Sequence, residues 1–233
     1  MINKTFNLSP EEIIAETQRF FVKVYGWMSL ALIVTGYVAI WTASHVDLVS
    51  ILNENKGFFI GLLVLEFVLV AYLVGWIMKM SSHTATLIFL LYSVLNGFTF
   101  SILFLIYTAE SIATTFFVTA GTFAIMSIYG YFTKTDLTQW GSLLFMGLIG
   151  LIIASAVNLY FHNNAIYWIT TYAGIFIFTG LIAYDTQKIK ELNIVGNEGT
   201  DDDKKEAIIG ALTLYLDFIN LFLKLLRLFG KRK

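Results

Sequence analysis

The chain has 233 residues, of which 58% are hydrophobic and only 13% charged, and its mean hydropathy is +0.75. A soluble domain carries about 25% charged residues, so this composition excludes an ordinary water-soluble protein and predicts a membrane protein. The net charge of −1 gives no basis for nucleic-acid binding, and the absence of cysteine excludes disulfides, thiolate metal sites and a cysteine nucleophile.

The first predicted helix begins at a capping box. Ser9 can cap the helix, Pro10 suits the first helical position, and Glu12 has the spacing that completes the box. The segment 9–23 is amphipathic, with apolar positions that include Phe20. We therefore expect a short interfacial helix before the first membrane span.

Seven apolar runs follow, each close to the ~20 residues that cross a bilayer core. They predict spans at about 24–44, 58–78, 84–107, 111–132, 140–160, 165–187 and 207–228. The predicted fold is an all-α integral membrane protein, organised as a single seven-helix membrane domain over residues 1–233.

The basic residues predict an orientation. With the N-terminus inside, the cytoplasmic segments hold Lys4, Arg19, Lys23, Lys79, Lys134, Lys188, Lys190, Lys204 and Lys205. Only Lys56 falls in an outer loop, so the positive-inside rule favours a cytoplasmic N-terminus. Seven spans would then put the basic tail 231–233 outside. Two alternatives stay open: the tail is an exception to the rule, or the last segment is re-entrant.

The last span carries a continuous polar stripe. Its members alternate steps of four and three, which places them on one helix face: Glu206, Gly210, Thr213, Asp217, Asn220, Lys224 and Arg227. A mid-helix aspartate and lysine are costly in lipid. The stripe is therefore predicted to face the interior of the bundle.

Two aspartates of the last two spans could meet. Asp185 lies near the inner end of the sixth span, and Asp217 lies roughly 15 Å into the seventh from the same side. Two carboxylates in contact at low dielectric cannot both ionise cheaply, so they would share a proton and titrate in two coupled steps. With one proton, the pair would hold the two helices together by a hydrogen bond. Without it, the two carboxylates would repel each other or bind a cation. The alternative is that each acid hydrogen-bonds a neighbouring side chain and only packs.

The remaining charged groups and the histidines allow three further predictions. Glu66 in the second span is expected nearer the outer face, where an ion pair with Lys224 or Arg227 would either plug a pore or serve structure alone. The acidic run 198–203 lacks the ligand spacing of an EF-hand, so it is predicted to be a solvated linker. His45, His83 and His162 lie at span ends, and no triplet of histidines has zinc-ligand spacing.

Three segments carry a family resemblance. They are RFFVKVYGWM (residues 19–28), AYDTQKIK (183–190) and ALTLYLDFINLFLKLLRLFG (211–230). The sequence resembles the Bax inhibitor motif family of membrane proteins, bacterial branch, over almost its whole length. The resemblance implies two three-helix layers around a central C-terminal helix, and a pH-dependent calcium leak in the bacterial inner (plasma) membrane.

The same resemblance assigns residues. The two family aspartates fall on Asp185 and Asp217, which would also be transient calcium ligands, and a family glutamate and arginine match Glu66 and Arg227. In bacterial relatives an arginine at the inner end of helix two latches the aspartate pair. This chain has no arginine there, and Lys79 is the candidate substitute.

The first hypothesis is thus a pH-gated calcium (cation) leak channel, with lipid, calcium ions and protons as partners and no cofactor. The runner-up is a proton-coupled cation transporter, although no inverted repeat is visible. An intramembrane aspartyl protease is disfavoured because Leu214-Tyr-Leu-Asp217 lacks the glycines of that motif and Pro10 is the only proline, so no enzyme is expected. A retinal photoreceptor is disfavoured because Lys224 follows Asp217 by seven residues rather than four.

Overall fold

A computed structural model describes residues 9–233, except for the side chains of Val46 and Asn53. Lys4, one of the residues used to predict orientation, lies outside the described residues. The helices are α1 (Pro10–Ala43), α2 (Val46–Glu54), α3 (Lys56–Trp76), α4 (Ser82–Phe100), α5 (Leu103–Ile106), α6 (Ala109–Phe132), α7 (Thr138–Phe161), α8 (Asn164–Leu192) and α9 (Asp201–Phe229). A 3-10 turn over Ile77–Lys79 extends α3.

Seven segments between residues 9 and 233 are long and apolar enough to cross a membrane. They are Pro10–Ala43, Lys56–Lys79, Ser82–Ile106, Ala109–Phe132, Thr138–Phe161, Asn164–Leu192 and Asp201–Phe229. No strand forms in the same range, where the one β-type contact is an isolated bridge between Tyr107 and Arg232. The prediction of an all-α integral membrane protein with seven long apolar helices is confirmed.

The first helix begins where the sequence predicts. Ser9 Oγ accepts a hydrogen bond from the Glu12 amide at 3.3 Å, and the Ser9 amide donates to Glu12 Oε2 at 2.6 Å. However, the predicted interfacial segment 9–23 does not form a separate helix, because α1 continues without a break to Ala43. No proline follows Pro10, and apolar residues such as Phe20 are buried in the early turns, so nothing interrupts the helix.

The described chain forms two compact units. The first comprises residues up to Leu105 together with Lys190–Leu212, and the second comprises Ile106–Ile189 with Thr213–Lys233. Each unit holds three of the long apolar segments, and α9 contributes its first part to unit 1 and the remainder to unit 2. The single seven-helix membrane domain stays a prediction.

Close helix packing organises unit 1. The Thr35 hydroxyl of α1 donates to the Ser93 carbonyl of α4 at 2.9 Å. At Gly97 of α4, an added Cβ would lie 2.8 Å from the Thr35 carbonyl oxygen and 2.6 Å from Val38 Cβ. Glycine is therefore required where α4 crosses α1.

The last helix runs without a break over 29 residues, about 43 Å at 1.5 Å per residue. Beyond it the tail pairs with the segment before α6: the Thr108 amide donates to the Lys231 carbonyl at 3.0 Å, and the Lys233 amide donates to the Ile106 carbonyl at 3.0 Å. Because of these two hydrogen bonds, the tail that follows α9 lies beside the segment that precedes α6 within unit 2. A re-entrant segment would need a break inside the last helix, and α9 has none.

Candidate functional site

The turn of α8 that carries Asp185 is fixed against both neighbouring helices of unit 2. On one side, Gly130 of α6 lies directly against the carbonyl group of Ala183. On the other, the ring of Tyr184 lies against Gly141 of α7. Any side chain at either glycine would overlap α8, so the small residues allow the close approach that positions Asp185.

Gln187 holds the loop between α6 and α7 to the same turn. Its Oε1 accepts a hydrogen bond from the Leu137 amide at 2.8 Å, and its Nε2 donates to the Thr135 carbonyl at 2.9 Å. One amide side chain thus satisfies a donor and an acceptor of the loop. The sequence analysis did not single out Gln187. The signal that could have identified Gln187 is its place in the segment 183–190, two residues after Asp185.

Aromatic packing fixes the rotation of α9 at Asp217. The ring of Phe218 lies 5.3 Å from that of Phe116 and 5.6 Å from that of Phe123, both on α6. These separations are typical of favourable aromatic pairs. With Phe218 directed at α6, Asp217 is buried, with 5% of its surface exposed.

The structure brings the carboxyls of Asp185 and Asp217 together as hydrogen-bonding partners. Asp185 is partly buried, and no N–H or hydroxyl group of a described residue donates to Oδ2 of Asp217. Two carboxyls can hydrogen-bond to each other only when one of them carries a proton. The two acids therefore lie close enough to interact directly, and the sharing of a proton between them stays a prediction.

The other polar residues of the last helix have separate surroundings. Thr213, one turn before Asp217, is partly buried. The Asn220 side chain donates to the Leu216 carbonyl of its own helix at 2.8 Å. Glu206 lies in unit 1, where the Asn197 side chain donates to it at 3.1 Å. The aspartate is thus the member of the stripe that pairs with Asp185.

The members of the predicted outer charge cluster each have a described neighbour. Glu66 is buried in unit 1 and accepts a hydrogen bond from the Thr99 hydroxyl at 2.5 Å. In unit 2, Lys224 is buried with its aliphatic chain against Gly174, and the Arg227 guanidinium lies 5.5 Å from the centre of the Tyr167 ring. The cluster itself stays a prediction. The sequence analysis missed the roles of Thr99 and Gly174, because neither follows a polar pattern.

Two further predictions concern charged residues of unit 1. Lys79 is exposed at the end of the 3-10 turn, and its role as a latch stays a prediction. The prediction of a solvated linker over 198–203 is wrong for Asp203, which is almost fully buried. Its carboxylate pairs with Lys23 at 2.7 Å and accepts the Gly199 amide at 2.8 Å. The partner on α1 is 180 residues away in sequence, so no local pattern indicated it.

Comparison with known proteins supports the resemblance drawn from the three motifs. The family model described as "Inhibitor of apoptosis-promoting Bax1" matches residues 17–233. The Inner membrane protein YbhL of Escherichia coli K12 is 48% identical over 220 residues, which cover 94% of each chain. A protein of Borreliella burgdorferi is 44% identical over 223 residues, or 96% of each chain. A Rickettsia prowazekii protein is 44% identical over 232 residues, covering 99% of this chain and 94% of the relative.

Proposed function

Because this chain belongs to the Bax inhibitor family, we propose that it is a pH-regulated cation leak channel with calcium as the permeant ion. The observation that carries the proposal is the contact between the carboxyls of Asp185 and Asp217. Ionisable groups inside a membrane protein commonly serve ion or proton pathways because their burial is otherwise costly. The pair is the proposed pH sensor, and its oxygens are the proposed transient calcium ligands.

The proposed gate works through the charge of the pair. With one shared proton, the two carboxyls hold α8 to α9. Without it, two negative charges about 4 Å apart repel by about 4 kcal/mol at an effective dielectric constant of about 20. A change of that size alters a two-state equilibrium by about a thousandfold. A calcium ion can relieve the same repulsion, since hard cations prefer carboxylate oxygens.

The remaining assignments complete the proposal. The N-terminus is cytoplasmic because the basic residues concentrate on that side, and the membrane is a bacterial inner membrane, as the name of the E. coli relative suggests. Glu66, Lys224 and Arg227 form the outer constriction, and Lys79 is the latch for the aspartate pair. The proposal includes no enzymatic activity and no resident cofactor; lipid, calcium and protons are the partners.

Calcium flux into proteoliposomes that contain a calcium dye tests this function. We expect wild-type flux to change severalfold between about pH 6 and 8, and Asp185→Asn or Asp217→Asn to abolish that dependence, because neither variant can share a proton between two carboxyls. Glu191→Gln removes an exposed carboxylate of the same helix and serves as the matched control. Unchanged pH dependence in both asparagine variants would reject the proposed sensor.

The same preparation separates a channel from a proton-coupled cation transporter, which a titrating pair also suits. A pH dye on the opposite side of the membrane measures proton movement during calcium flux. A leak channel produces no stoichiometric proton counterflux. A counterflux that follows calcium and disappears in Asp217→Asn would instead establish the transporter.

A further inference from the structure

Buried oxygen atoms lie around the loop between α8 and α9, near the beginning of α1 in unit 1. Glu16 of α1 and Glu206 of α9 have only 5% and 6% of their surfaces exposed, and Asn193 of the loop has 8%. An unpaired buried carboxylate costs several kcal/mol. Two of them near one short loop therefore need a compensating charge or a proton.

The segment 193–197 connects these groups directly. The Gly196 amide donates to Glu16 Oε1 at 2.9 Å, and the Asn197 side chain donates to Glu206 Oε2 at 3.1 Å. The Asn193 side chain donates to the Thr17 hydroxyl at 3.4 Å, next to Glu16. Three residues of this five-residue segment thus bind one of the carboxylates or the residue beside one of them.

The neighbouring positive charges form their ion pairs with other acids, although the charge of Arg19 also acts on Glu16. Within residues 9–233, the recorded ion pairs of this region are Arg19–Glu198 at 2.7 Å, Lys23–Asp203 at 2.7 Å, Lys205–Asp201 at 2.9 Å and Lys205–Asp202 at 3.1 Å. None of them includes Glu16 or Glu206. The charge of the two buried carboxylates is therefore left without an ion pair in the described part of the chain.

Two amide oxygens of the same segment are also buried without a donor. Neither Oδ1 of Asn193 nor Oδ1 of Asn197 accepts a hydrogen bond from a described residue. An orphaned buried oxygen costs about 1–3 kcal/mol. Carboxylate and amide oxygens are ligands that calcium accepts in proteins, so these four groups have the chemistry of a hard-cation site.

We propose that Glu16, Glu206, Asn193 and Asn197 form a binding site for a hard divalent cation, with calcium as the best match. No three His, Asp or Glu side chains converge as a ligand set among residues 9–233, so the two amide oxygens are essential to this site. It is separate from the Asp185–Asp217 pair and does not depend on ion conduction. The bound ion links α1 to the beginning of α9.

Calcium binding to the full chain in nanodiscs tests the site, in a background that carries both Asp185→Asn and Asp217→Asn. Isothermal titration with calcium chloride should show saturable binding, and calcium should raise the melting temperature, because only the folded chain assembles the ligands. Glu16→Gln or Glu206→Gln should weaken binding by at least about tenfold, which corresponds to about 1.4 kcal/mol. Glu198→Gln, an exposed carboxylate of the same loop, should leave the affinity unchanged.

Absence of saturable binding in this background would overturn the site, as would equal affinity in both glutamine variants and the background protein. Asn193→Asp provides an independent test if the glutamine variants fold poorly. It replaces a neutral ligand by a charged one of the same size, so calcium affinity should rise severalfold. Unchanged affinity in Asn193→Asp would also reject the site.

Discussion

Gly130 of α6 lies against the carbonyl group of Ala183 of α8, so closely that no side chain fits between the two backbones. The atoms in the way belong to the backbone, which cannot move aside as the end of a flexible side chain can. Asp185 follows two residues later. The crossing of α6 and α8 therefore sets the position of one member of the aspartate pair.

We expect Gly130→Ala to lower the stability of the protein by about 1–3 kcal/mol, because the added methyl group forces the two helices apart. Gly121→Ala is the matched control on the same helix, since a Cβ at Gly121 meets no atom within 4 Å. That control should instead stabilise the helix by about 0.5–1 kcal/mol. Thermal unfolding in detergent checks both values. Equal melting temperatures for the two variants would show that the crossing is not tight.

Gln187→Leu should loosen the loop between α6 and α7, because the Leu137 amide and the Thr135 carbonyl lose their partner. The bond to the Thr135 carbonyl is exposed and the bond to the Leu137 amide only partly buried. The expected cost is therefore about 1 kcal/mol, or about fivefold in local opening. Hydrogen exchange at the Leu137 amide measures it directly. The control is Glu191→Gln, an exposed position of the same helix. Unchanged exchange at Leu137 in Gln187→Leu would contradict the assignment.

Thr99→Val should destabilise the protein by about 1–3 kcal/mol, since it leaves the buried Glu66 carboxyl without the hydroxyl that donates to it. Thr99→Ser keeps the hydroxyl and should restore most of this stability. The melting temperatures of the two variants provide the comparison. If the serine variant is no more stable than the valine variant, the hydrogen bond does not contribute.

The tail of the chain should lie on the same side of the membrane as the beginning of α6, because the backbones of 231–233 and 106–108 are hydrogen-bonded. The chain has no cysteine, so single cysteines report position without interference. A membrane-impermeant maleimide should label Lys233→Cys and Glu110→Cys from one side and Lys134→Cys from the other. Labelling of Lys233→Cys together with Lys134→Cys would contradict the pairing of the tail.

The pair between Arg19 and Glu198 predicts a pH dependence of stability. The side-chain hydrogen bonds from Arg19 hold the pKa of Glu198 below its ordinary value of 4.5. A carboxylate with a lowered pKa stabilises the fold at higher pH, and this stabilisation disappears as pH falls through the lowered pKa. The melting temperatures of the wild type and Glu198→Gln should therefore differ above about pH 5 and converge below it. A constant difference down to the lowest pH tested would contradict this.

The long apolar helices and the aspartate pair could be predicted because lipid makes their signals strong. A run of ~20 apolar residues has few alternatives to a membrane span, and an intramembrane carboxylate needs a partner. Asp185 and Asp217 were both predicted to lie in the inner half of the membrane, on consecutive spans, which leaves few groups for each to meet. The structure places their carboxyls in contact.

The contacts that the sequence analysis missed join residues that are far apart in the chain. Lys23 and Asp203 are separated by 180 residues, and Glu66 and Thr99 by 33. Helical periodicity indicates which face of a helix is buried, but it does not identify the residue on the neighbouring helix. For the same reason the acidic run 198–203 looked uniformly solvated, although burial in unit 1 separates Asp203 from its exposed neighbours.

Tyr184 lies against Gly141 of α7, and α7 has little other protein cover: Gly141 and Leu151 are its buried residues. Its 24 residues span about 36 Å, more than the ~30 Å thickness of a typical hydrocarbon core. A helix longer than the bilayer tilts, and the tilt changes with lipid chain length. Through the contact with Tyr184, such a tilt acts on the residue next to Asp185. The thickness of the surrounding bilayer is thus a second variable, beside pH, for the proposed gate.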